Sequence, residues 1–293
     1  MQTLSFHINY GENQSRREQL YPLFDTVFNI PVEAFRDFHS KGFWDESYRP
    51  FTYFEEEKAV ANVSLFHMEF LINGEKLGAT GIQSVITHPD YRGKGLMKSL
   101  FREALAFIDQ QGGPAFLMTS SPELYTPFGF ESLEEYYFVR SYGHKPGSAT
   151  QLQKVDIFNE EELATFRSMW EKRAPLSKEF MPLRYQSSFF LNMYNPNLHE
   201  LLYYCDSLDA YLVYDIEDGT LELFDIIADQ IPDLEDICRA IPEPFENIAL
   251  YFNPDQFEEG FEAVKYETVD HFMVRGAFDL EELKIKLPIT AEF

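Results

Sequence analysis

The residues best suited to chemistry are the run Arg92-Gly93-Lys94-Gly95-Leu96, in which glycines alternate with basic side chains. A glycine turn that opens a helix brings free backbone N–H groups and the positive end of the helix together, and the missing β-carbons let an anion approach closely. The positive charges of Arg92 and Lys94 are informative because the chain has a formal net charge of -25. The run therefore predicts a binding site for a pyrophosphate group; the alternative is an ordinary exposed turn.

Tyr125 is the second candidate, in the segment from Ser120 to Phe130. The segment predicts a short helix with Ser121 as N-cap, Pro122 at the first helical position and Gly129 as the left-handed residue that closes it. Because the segment follows an apolar strand, Tyr125 is expected just past a strand end, where open α/β sheets commonly place ligands. Its position makes it a candidate functional residue, and the alternative is a half-buried packing residue, one of 17 tyrosines.

The elements before the glycine turn are predicted to be strands. Residues 51–57 and 60–72 are rich in aromatic and β-branched side chains, and Asn73-Gly74 is a strong tight-turn signal. Residues 76–87 then form the returning strand, which His88-Pro89 ends because proline lacks the ladder N–H. This strand delivers the chain to the glycine turn.

A helix and a buried strand are predicted after the turn. Apolar residues recur at three- and four-residue spacing from Leu96 to Ile108, which is typical of one helix face. Gly112-Gly113-Pro114 ends the helix, and the short apolar run 115–119 is expected to be a buried strand.

The second half repeats this outline. Residues 211–217 and 221–228 predict a hairpin, residues 231–241 a helix and residues 248–252 a strand, while the glycine- and proline-containing stretch 141–150 is the predicted boundary. These correspondences predict an internal duplication.

The repeat differs at the glycine turn. Where the first half has Arg-Gly-Lys-Gly, the second has Asp229-Gln230-Ile231-Pro232-Asp233. Two acids and a proline cannot offer backbone donors to a phosphate as glycines do. One cofactor site per chain, in the first half, is predicted.

Composition limits the function classes. A chain of 293 residues suggests two domains, no apolar run reaches the length of a membrane helix, and the start of the sequence shows no export signal, so a cytoplasmic protein without a membrane partner is expected. The negative charge would repel nucleic acid. An acidic surface attracts a cationic acceptor, or it simply keeps the protein soluble. The two cysteines, Cys205 and Cys238, predict buried thiols rather than a metal site.

With these motifs the sequence resembles the GNAT-type N-acetyltransferases, whose motif Arg/Gln-x-x-Gly-x-Gly/Ala cradles the pyrophosphate of coenzyme A. Arg92 to Met97 matches it except at the last position, where Met97 replaces a small residue. Residues 85–125 look most like the Eis (enhanced intracellular survival) branch, without its third, sterol-carrier-like domain. The resemblance implies an α/β (α+β) fold of two tandem GNAT-like domains, residues 1–145 and a degenerate 146–293, each a mixed, mostly antiparallel sheet flanked by helices.

The resemblance also implies site residues. Backbone groups of Val85, Ile86 and Thr87 would hold the acetyl-bearing arm of acetyl-CoA, Ser120 and Ser121 would lie beside the thioester, and Tyr125 would protonate the departing thiolate. The pyrophosphate would be held by Arg92, Gly93, Lys94, Gly95, Leu96, Met97 and Lys98.

The general base is left open. In Eis-type enzymes the terminal carboxylate does this work, and the sequence here ends at Phe293, an aromatic residue like theirs. Another carboxylate or a chain of waters are the alternatives. His67 and His88 are nearby in sequence, although a lone histidine in a strand is more often structural.

The sequence thus predicts an acyltransferase that moves an acetyl group from acetyl-CoA to a primary amine of a cationic small molecule or peptide. The alternatives are a non-catalytic acyl-CoA-binding regulatory module and a structural duplicate without ligand. The identity of the acceptor, the length of the acyl group and a homo-oligomeric state are open. The aromatic stretch 21–54 either helps to form the acceptor pocket or covers the core.

Overall fold

The computed structural model describes residues 4–143, 152–257, 259–278, 280 and 283–293. The chain forms two compact units, each built from separate segments. The amino-terminal unit comprises Met1–Glu69, Gly78–Leu133 and Val269–Phe278, and the carboxy-terminal unit comprises Phe70–Leu77, Glu134–Thr268 and Asp279–Phe293.

The sheet of the amino-terminal unit has the strand order β1-β2-β3-β4-β5-β15-β6, and three helices accompany it. Its strands are β1 (Leu4–Ile8), β2 (Arg49–Glu55), β3 (Lys58–Ile72), β4 (Glu75–Thr87), β5 (Ala115–Thr119), β6 (Glu131–Ser132) and β15 (His271–Arg275). Its helices are α1 (Gln14–Phe28), α2 (Val32–Ser40) and α3 (Leu96–Gln111), and short 3-10 turns lie at Pro89–Tyr91, Pro122–Leu124 and Thr126–Phe128.

The sheet of the carboxy-terminal unit has the order β14-β7-β13-β12-β11-β10-β8. Its strands are β7 (Tyr136–Ser141), β8 (Leu152–Lys154), β10 (Leu202–Cys205), β11 (Ala210–Glu217), β12 (Thr220–Ala228), β13 (Asn247–Leu250) and β14 (Glu262–Lys265). Its helices are α4 (Glu160–Lys172), α5 (Gln186–Asn192), α6 (Pro196–His199) and α7 (Leu234–Ala240), with 3-10 turns at Asp206–Leu208 and Ile289–Ala291. Strand β9 (Phe180–Pro182) pairs with the last residues of β3, which belong to this unit.

The two sheets have the same topology, which confirms the predicted fold class. In each, one parallel pair, β4 with β5 or β12 with β13, is followed by two antiparallel strands. The strand next to the parallel pair comes from the other half of the chain: β15 pairs with β5, and β7 pairs with β13. Each compact unit therefore contains segments from both halves of the sequence. The boundary between residues 145 and 146 stays a prediction about the sequence repeats.

The core of the amino-terminal unit lies on both faces of its sheet. On one face, Leu100, Phe101 and other residues of α3 pack against β2, β3 and β5. On the other, α1 and α2 contribute buried aromatic residues, among them Tyr21, Phe24 and Phe35. Of the two interpretations of the aromatic stretch 21–54, the structure supports core covering for these side chains.

A bulge in β4 changes which residues face each core. Ser84 has a φ of 52°, in the left-handed region that a residue with a Cβ adopts only at a cost of about 1–3 kcal/mol. As a result Ile82 and Val85, three residues apart, both contact the α3 core, whereas Ile86 joins the α1 and α2 core. Strict alternation along a strand would not produce this spacing.

Local elements largely follow the sequence, with two corrections. The helix predicted at residues 231–241 is confined to Leu234–Ala240, because Pro232 and the N-cap Asp233 delay its start. The helix predicted around Tyr125 is instead two consecutive 3-10 turns, since a proline near the start of each and Gly129 leave no room for longer α-helical pairing. Most of the predicted boundary 141–150 lies outside the described residues.

A salt bridge ties β15 to α3. Arg275 donates two hydrogen bonds to Asp109, at 2.6 and 3.2 Å, and these bonds lower the pKa of Asp109. Because the pKa of Asp109 is lower in the folded state than in the unfolded state, the salt bridge stabilises the fold fully above the unfolded-state pKa. This stabilisation is lost as the pH falls through the folded-state pKa. Since Asp109 is exposed, we expect Asp109→Asn to lower the free energy of unfolding by less than about 1 kcal/mol at pH 7 and by nothing near pH 2. Urea unfolding at both pH values, with Glu103→Gln on the same helix as control, checks this; an equal loss at both values would contradict it.

Candidate functional site

The glycine turn has the geometry that the sequence predicts. Gly93 and Gly95 have φ angles of 75° and 77°, and Gly95 is the N-cap of α3 with no side-chain capping hydrogen bond. A Cβ built at either glycine would meet no protein atom within 4 Å. The glycines are therefore required by backbone conformation rather than by packing, and open space lies above the uncapped helix start. This is the arrangement an anion needs at a helix N-terminus.

The charges around the turn agree with anion binding. The first turn of α3 carries no acidic residue. Arg92 donates from Nε to the carbonyl of Thr87 at 3.3 Å, and the Lys94 ammonium lies 4.4 Å from the centre of the Tyr91 ring. The Tyr91 hydroxyl in turn donates to Glu55, and this bond raises the pKa of Tyr91. Two cations are thus held at the turn by weak, exposed contacts that a phosphate can replace.

A gap opens between β4 and β5 next to the turn. The parallel ladder joins Thr80 to Ala115 and ends at Ile82 opposite Leu117, although both strands continue. Residues 85–87 of β4 therefore lie beyond the last pair of this ladder. On the side of β5, the backbone groups of these residues have no partner in this ladder.

Tyr125 lies at the carboxyl end of β5, as predicted. Its side chain is 7% exposed and packs against Phe101 at 5.3 Å and Phe130 at 6.5 Å between ring centres. Burial raises the pKa of its phenol to about 12, and a hydrogen bond with Thr119 opposes that shift. The phenol is therefore neutral at physiological pH and holds a proton that it can donate.

One side-chain cluster brings several predicted residues together. Val85, Leu96 and Met97 pack against the α3 core that includes Tyr125, whereas Ile86 faces the opposite core. The bulkier Met97 is accommodated here as a half-buried side chain. Lys98 and Ser120 are exposed.

Ser121 has a different local role from the predicted one. It precedes the first 3-10 turn, but its side chain makes no capping hydrogen bond. Its backbone N–H instead donates to Thr119 Oγ1 at 3.0 Å. Thr119, which the sequence analysis did not single out, thus contacts both Ser121 and the Tyr125 phenol.

The candidates for the general base differ in their surroundings. His67 is exposed, and His88 Nδ1 accepts from the Asp90 N–H at 3.3 Å. Phe293 belongs to the carboxy-terminal unit, so its role as base stays a prediction.

The segment before Phe293 is firmly held within the carboxy-terminal unit. Asn192 donates to the carbonyls of Ile289, Thr290 and Glu292 at 3.3, 3.2 and 2.8 Å. The fully buried Lys286 pairs with Glu135 at 3.0 Å. These bonds fix the course of the segment.

The equivalent place in the carboxy-terminal unit holds a buried carboxylate. There the parallel ladder of β12 with β13 runs from Thr220 opposite Asn247 to Leu223 opposite Leu250, where β13 ends. The buried carboxylate of Asp225 on β12 accepts hydrogen bonds from Tyr185 at 2.9 Å and from Thr290 at 2.5 Å, and burial raises its pKa. The missing glycines and this filled region both agree with a single cofactor site per chain.

Strands β2 and β3 carry a group of buried polar side chains that no sequence motif singled out. Thr52, Asn62 and Ser64 are each 0% exposed, although they lie in strands that read as apolar. The signal that could have revealed them is a set of polar residues at alternate or facing positions of otherwise apolar strands. Among the described residues, no group of three or more His, Cys, Asp or Glu is placed to hold a metal ion, and no helix is long and apolar enough to cross a membrane.

Comparison with known proteins agrees with this geometry. Residues 12–133 match the family model described as an acetyltransferase (GNAT) domain, which contains the glycine turn, the β4 segment and Tyr125. This confirms the predicted acyltransferase class and the GNAT resemblance of the first half, with acetyl-CoA as co-substrate. No curated protein matches the chain.

Solved structures extend the likeness to both units. A probable N-acyltransferase of unknown function from Enterococcus faecalis is 16% identical with a TM-score of 0.57, covering 93% of this chain and 72% of its own. Eis1 from Mycobacterium abscessus is 13% identical with a TM-score of 0.55, covering 93% and 73%. A GCN5-related N-acetyltransferase from Anabaena variabilis is 16% identical with a TM-score of 0.54, covering 92% and 72%. At these identities the likeness is one of fold.

Proposed function

We propose that the chain, whose residues 12–133 match a GNAT domain, transfers the acetyl group of acetyl-CoA to a primary amine of a cationic small molecule or peptide. The observation that carries the proposal is the uncapped, glycine-bounded start of α3 beside the gap between β4 and β5. The pyrophosphate lies on residues 92–98, and the acetyl-bearing arm runs along residues 85–87. Ser120 and Ser121 then lie beside the thioester.

The chemical step follows from these positions. The amine nitrogen attacks the thioester carbonyl carbon, the C–N bond forms and the carbonyl oxygen becomes an oxyanion. The C–S bond then breaks, and the sulfur takes the proton of Tyr125, whose raised pKa keeps that proton on the phenol until it is needed. The amine loses its proton to a nearby carboxylate or to water.

Charge supports a cationic acceptor. The chain carries 49 acidic and 24 basic residues. In the amino-terminal unit, the charged residues that line a groove beside the end of β4 are four glutamates and one lysine, namely Glu18, Glu55, Glu56, Glu57 and Lys58. A field of this sign concentrates cations near the surface and speeds their encounter.

Two assays test the proposal. Calorimetry with acetyl-CoA should give saturable binding at one site per chain, and a thiol-release assay with aminoglycosides, polyamines and lysine peptides should find at least one amine that is acetylated. Binding without acetylation of any amine in the panel would favour the non-catalytic acyl-CoA-binding module. No binding at all would contradict both functions.

Ionic strength gives a further expectation. If acidic surface recruits the acceptor, raising salt from about 50 mM to about 500 mM should raise KM for a polyamine several-fold while kcat changes little, because screening weakens long-range attraction. A neutral primary amine of similar size is the matched control. An equal effect of salt on both amines would contradict a role for the acidic surface.

A further inference from the structure

The buried polar side chains of Thr52, Asn62 and Ser64 belong to one connected chain of hydrogen bonds. Tyr10 contacts Thr52 Oγ1 at 2.5 Å, Thr52 donates to Asn62 Oδ1 at 2.6 Å, and Asn62 Nδ2 donates to Ser64 Oγ at 2.8 Å. Ser64 continues the chain by donating to the Tyr48 hydroxyl at 2.6 Å. These side chains lie on the sheet face that α1 and α2 cover, since Tyr10 belongs to that core.

Asn62 is the centre of the chain and the point where it reaches the backbone. Because Thr52 uses its single proton on Asn62 Oδ1, the Tyr10 hydroxyl must be the donor to Thr52. The two Nδ2 protons of Asn62 then go to Ser64 and, at 3.0 Å, to the main-chain carbonyl of Ser84. Both Nδ2 protons of Asn62 are thus assigned, and the orientation of its amide follows from them.

The carbonyl that Asn62 holds belongs to the bulge of β4. Ser84 has the positive φ of 52°, so this peptide does not follow the regular strand. In a trans peptide the C=O and the next N–H point in opposite directions. Since the Ser84 carbonyl accepts from Asn62 on β3, the Val85 N–H of the same peptide points away from Asn62, and β5 is the other neighbour of β4. The β4–β5 ladder has already ended there, at Ile82.

If Thr52, Asn62 and Ser64 only stabilised the core, apolar residues would suit their positions better. Thr52, Asn62 and Ser64 occupy fully buried positions of central strands, where β-branched apolar side chains pack well and where each polar group must be satisfied. The chain of hydrogen bonds satisfies them, and the strained peptide at Ser84 is held at one end of it. Strain that surrounding structure maintains in this way is typical of functional sites.

We propose that Asn62 is a positioning residue that aims the Val85 N–H at the carbonyl oxygen of the acetyl thioester. The inference rests on the proposed function. When the amine attacks and the carbonyl π electrons move onto oxygen, this N–H stabilises the oxyanion; when the C–S bond breaks, the electrons return to re-form the carbonyl. Asn62 itself does not touch the substrate and acts only through the Ser84–Val85 peptide.

Amide chemical shifts of ¹⁵N-labelled protein titrated with acetyl-CoA test the inference separately from the function. The Gly93 and Gly95 signals report pyrophosphate binding, and the Val85 signal reports the thioester carbonyl. Acetyl-CoA should move all three signals. CoA, which lacks the acetyl carbonyl, should move the glycines equally and Val85 by less than half as much. This comparison needs no variant.

Asn62→Ala should keep the glycine shifts and lose at least two thirds of the Val85 shift. With an amine that the panel identifies, its kcat should fall at least tenfold while KM for acetyl-CoA stays within threefold. Tyr10→Phe, which removes a buried hydroxyl from the same chain but leaves the Asn62–Ser84 bond, is the control and should keep the Val85 shift. Adding Ser84→Gly to Asn62→Ala should recover part of kcat, because glycine adopts the positive φ without support.

The outcomes separate two failures. If acetyl-CoA moves neither glycine signal, the proposed function fails. If the glycines respond while Val85 moves equally with CoA and acetyl-CoA, or moves equally in Asn62→Ala, the inference about Asn62 is wrong and the cofactor site stands. If Asn62→Ala does not fold, the double variant with Ser84→Gly and the wild-type comparison of CoA with acetyl-CoA decide.

Discussion

Tyr125→Phe is expected to lower kcat by about 10²- to 10³-fold while the dissociation constant of acetyl-CoA stays within threefold of wild type. A positioned general acid contributes on the order of 10²- to 10⁴-fold, and the loss of an interaction made only in the transition state lowers kcat without weakening ground-state binding. Phenylalanine keeps the ring contacts of Tyr125 with Phe101 and Phe130, so the fold is preserved. Steady-state kinetics with an amine from the panel and calorimetry with acetyl-CoA measure the two quantities.

Tyr53→Phe is the matched control. Tyr53 packs against the same core, and its hydroxyl contacts Ser99 Oγ at 3.0 Å. Its replacement removes a comparable hydroxyl from the same unit but should leave kcat within threefold. Equal losses in both variants, or full activity of Tyr125→Phe, would show that Tyr125 is a packing residue.

The pKa of Tyr125 adds a pH test. Because burial disfavours the phenolate, the pKa is raised to about 12 and the proton-bearing form persists as the pH rises. We expect no loss of kcat from ionisation of this phenol between pH 7 and about 10, where an unperturbed tyrosine would begin to titrate. An alkaline fall in kcat near pH 9 that disappears in Tyr125→Phe would contradict this assignment.

Gly95→Asp is expected to weaken acetyl-CoA binding by at least about 100-fold. The new carboxylate would occupy the open space above the start of α3, where the pyrophosphate lies in our proposal, and two anions about 5 Å apart repel strongly where water is partly excluded. A negative charge at a helix N-terminus is favourable, whereas the positive φ of Gly95 costs a residue with a Cβ about 1–3 kcal/mol, so the free energy of unfolding should fall by no more than about 3 kcal/mol. Binding is therefore lost without loss of the fold, which calorimetry and thermal unfolding together can show.

Gly74→Asp controls for the backbone. Gly74 has a φ of 80° in the turn between β3 and β4, and a Cβ there also meets nothing within 4 Å. The same substitution in the same backbone region should leave acetyl-CoA affinity within threefold. Gly95→Ala adds a side chain without a charge, and it should weaken acetyl-CoA binding by about tenfold. Unchanged affinity of Gly95→Asp would place the pyrophosphate elsewhere.

Much of the first half could be predicted because its signals are local. The turn at Asn73-Gly74, the helix from Leu96 and the strand Ala115–Thr119 each depend on residues close in sequence, and all three are present in the structure. The exchange of β15 and β7 could not be predicted in this way. Its pairing, for example Arg275 opposite Ala115, joins segments far apart in the chain, and no local pattern says which parallel strand a short β-segment will join.

The sequence by itself determined the chemistry of the glycine turn, because glycine is the residue that adopts a positive φ without strain and leaves a helix start open to an anion. The sequence also predicted that Tyr125 follows a strand end and that the second half lacks an equivalent glycine turn. Only the tertiary structure decided that Ser84 bends β4 and that Asn62, 22 residues away, holds its carbonyl. The reason is physical: a serine takes a left-handed conformation only when neighbouring strands supply the hydrogen bonds that hold it there, and those neighbours are set by the fold.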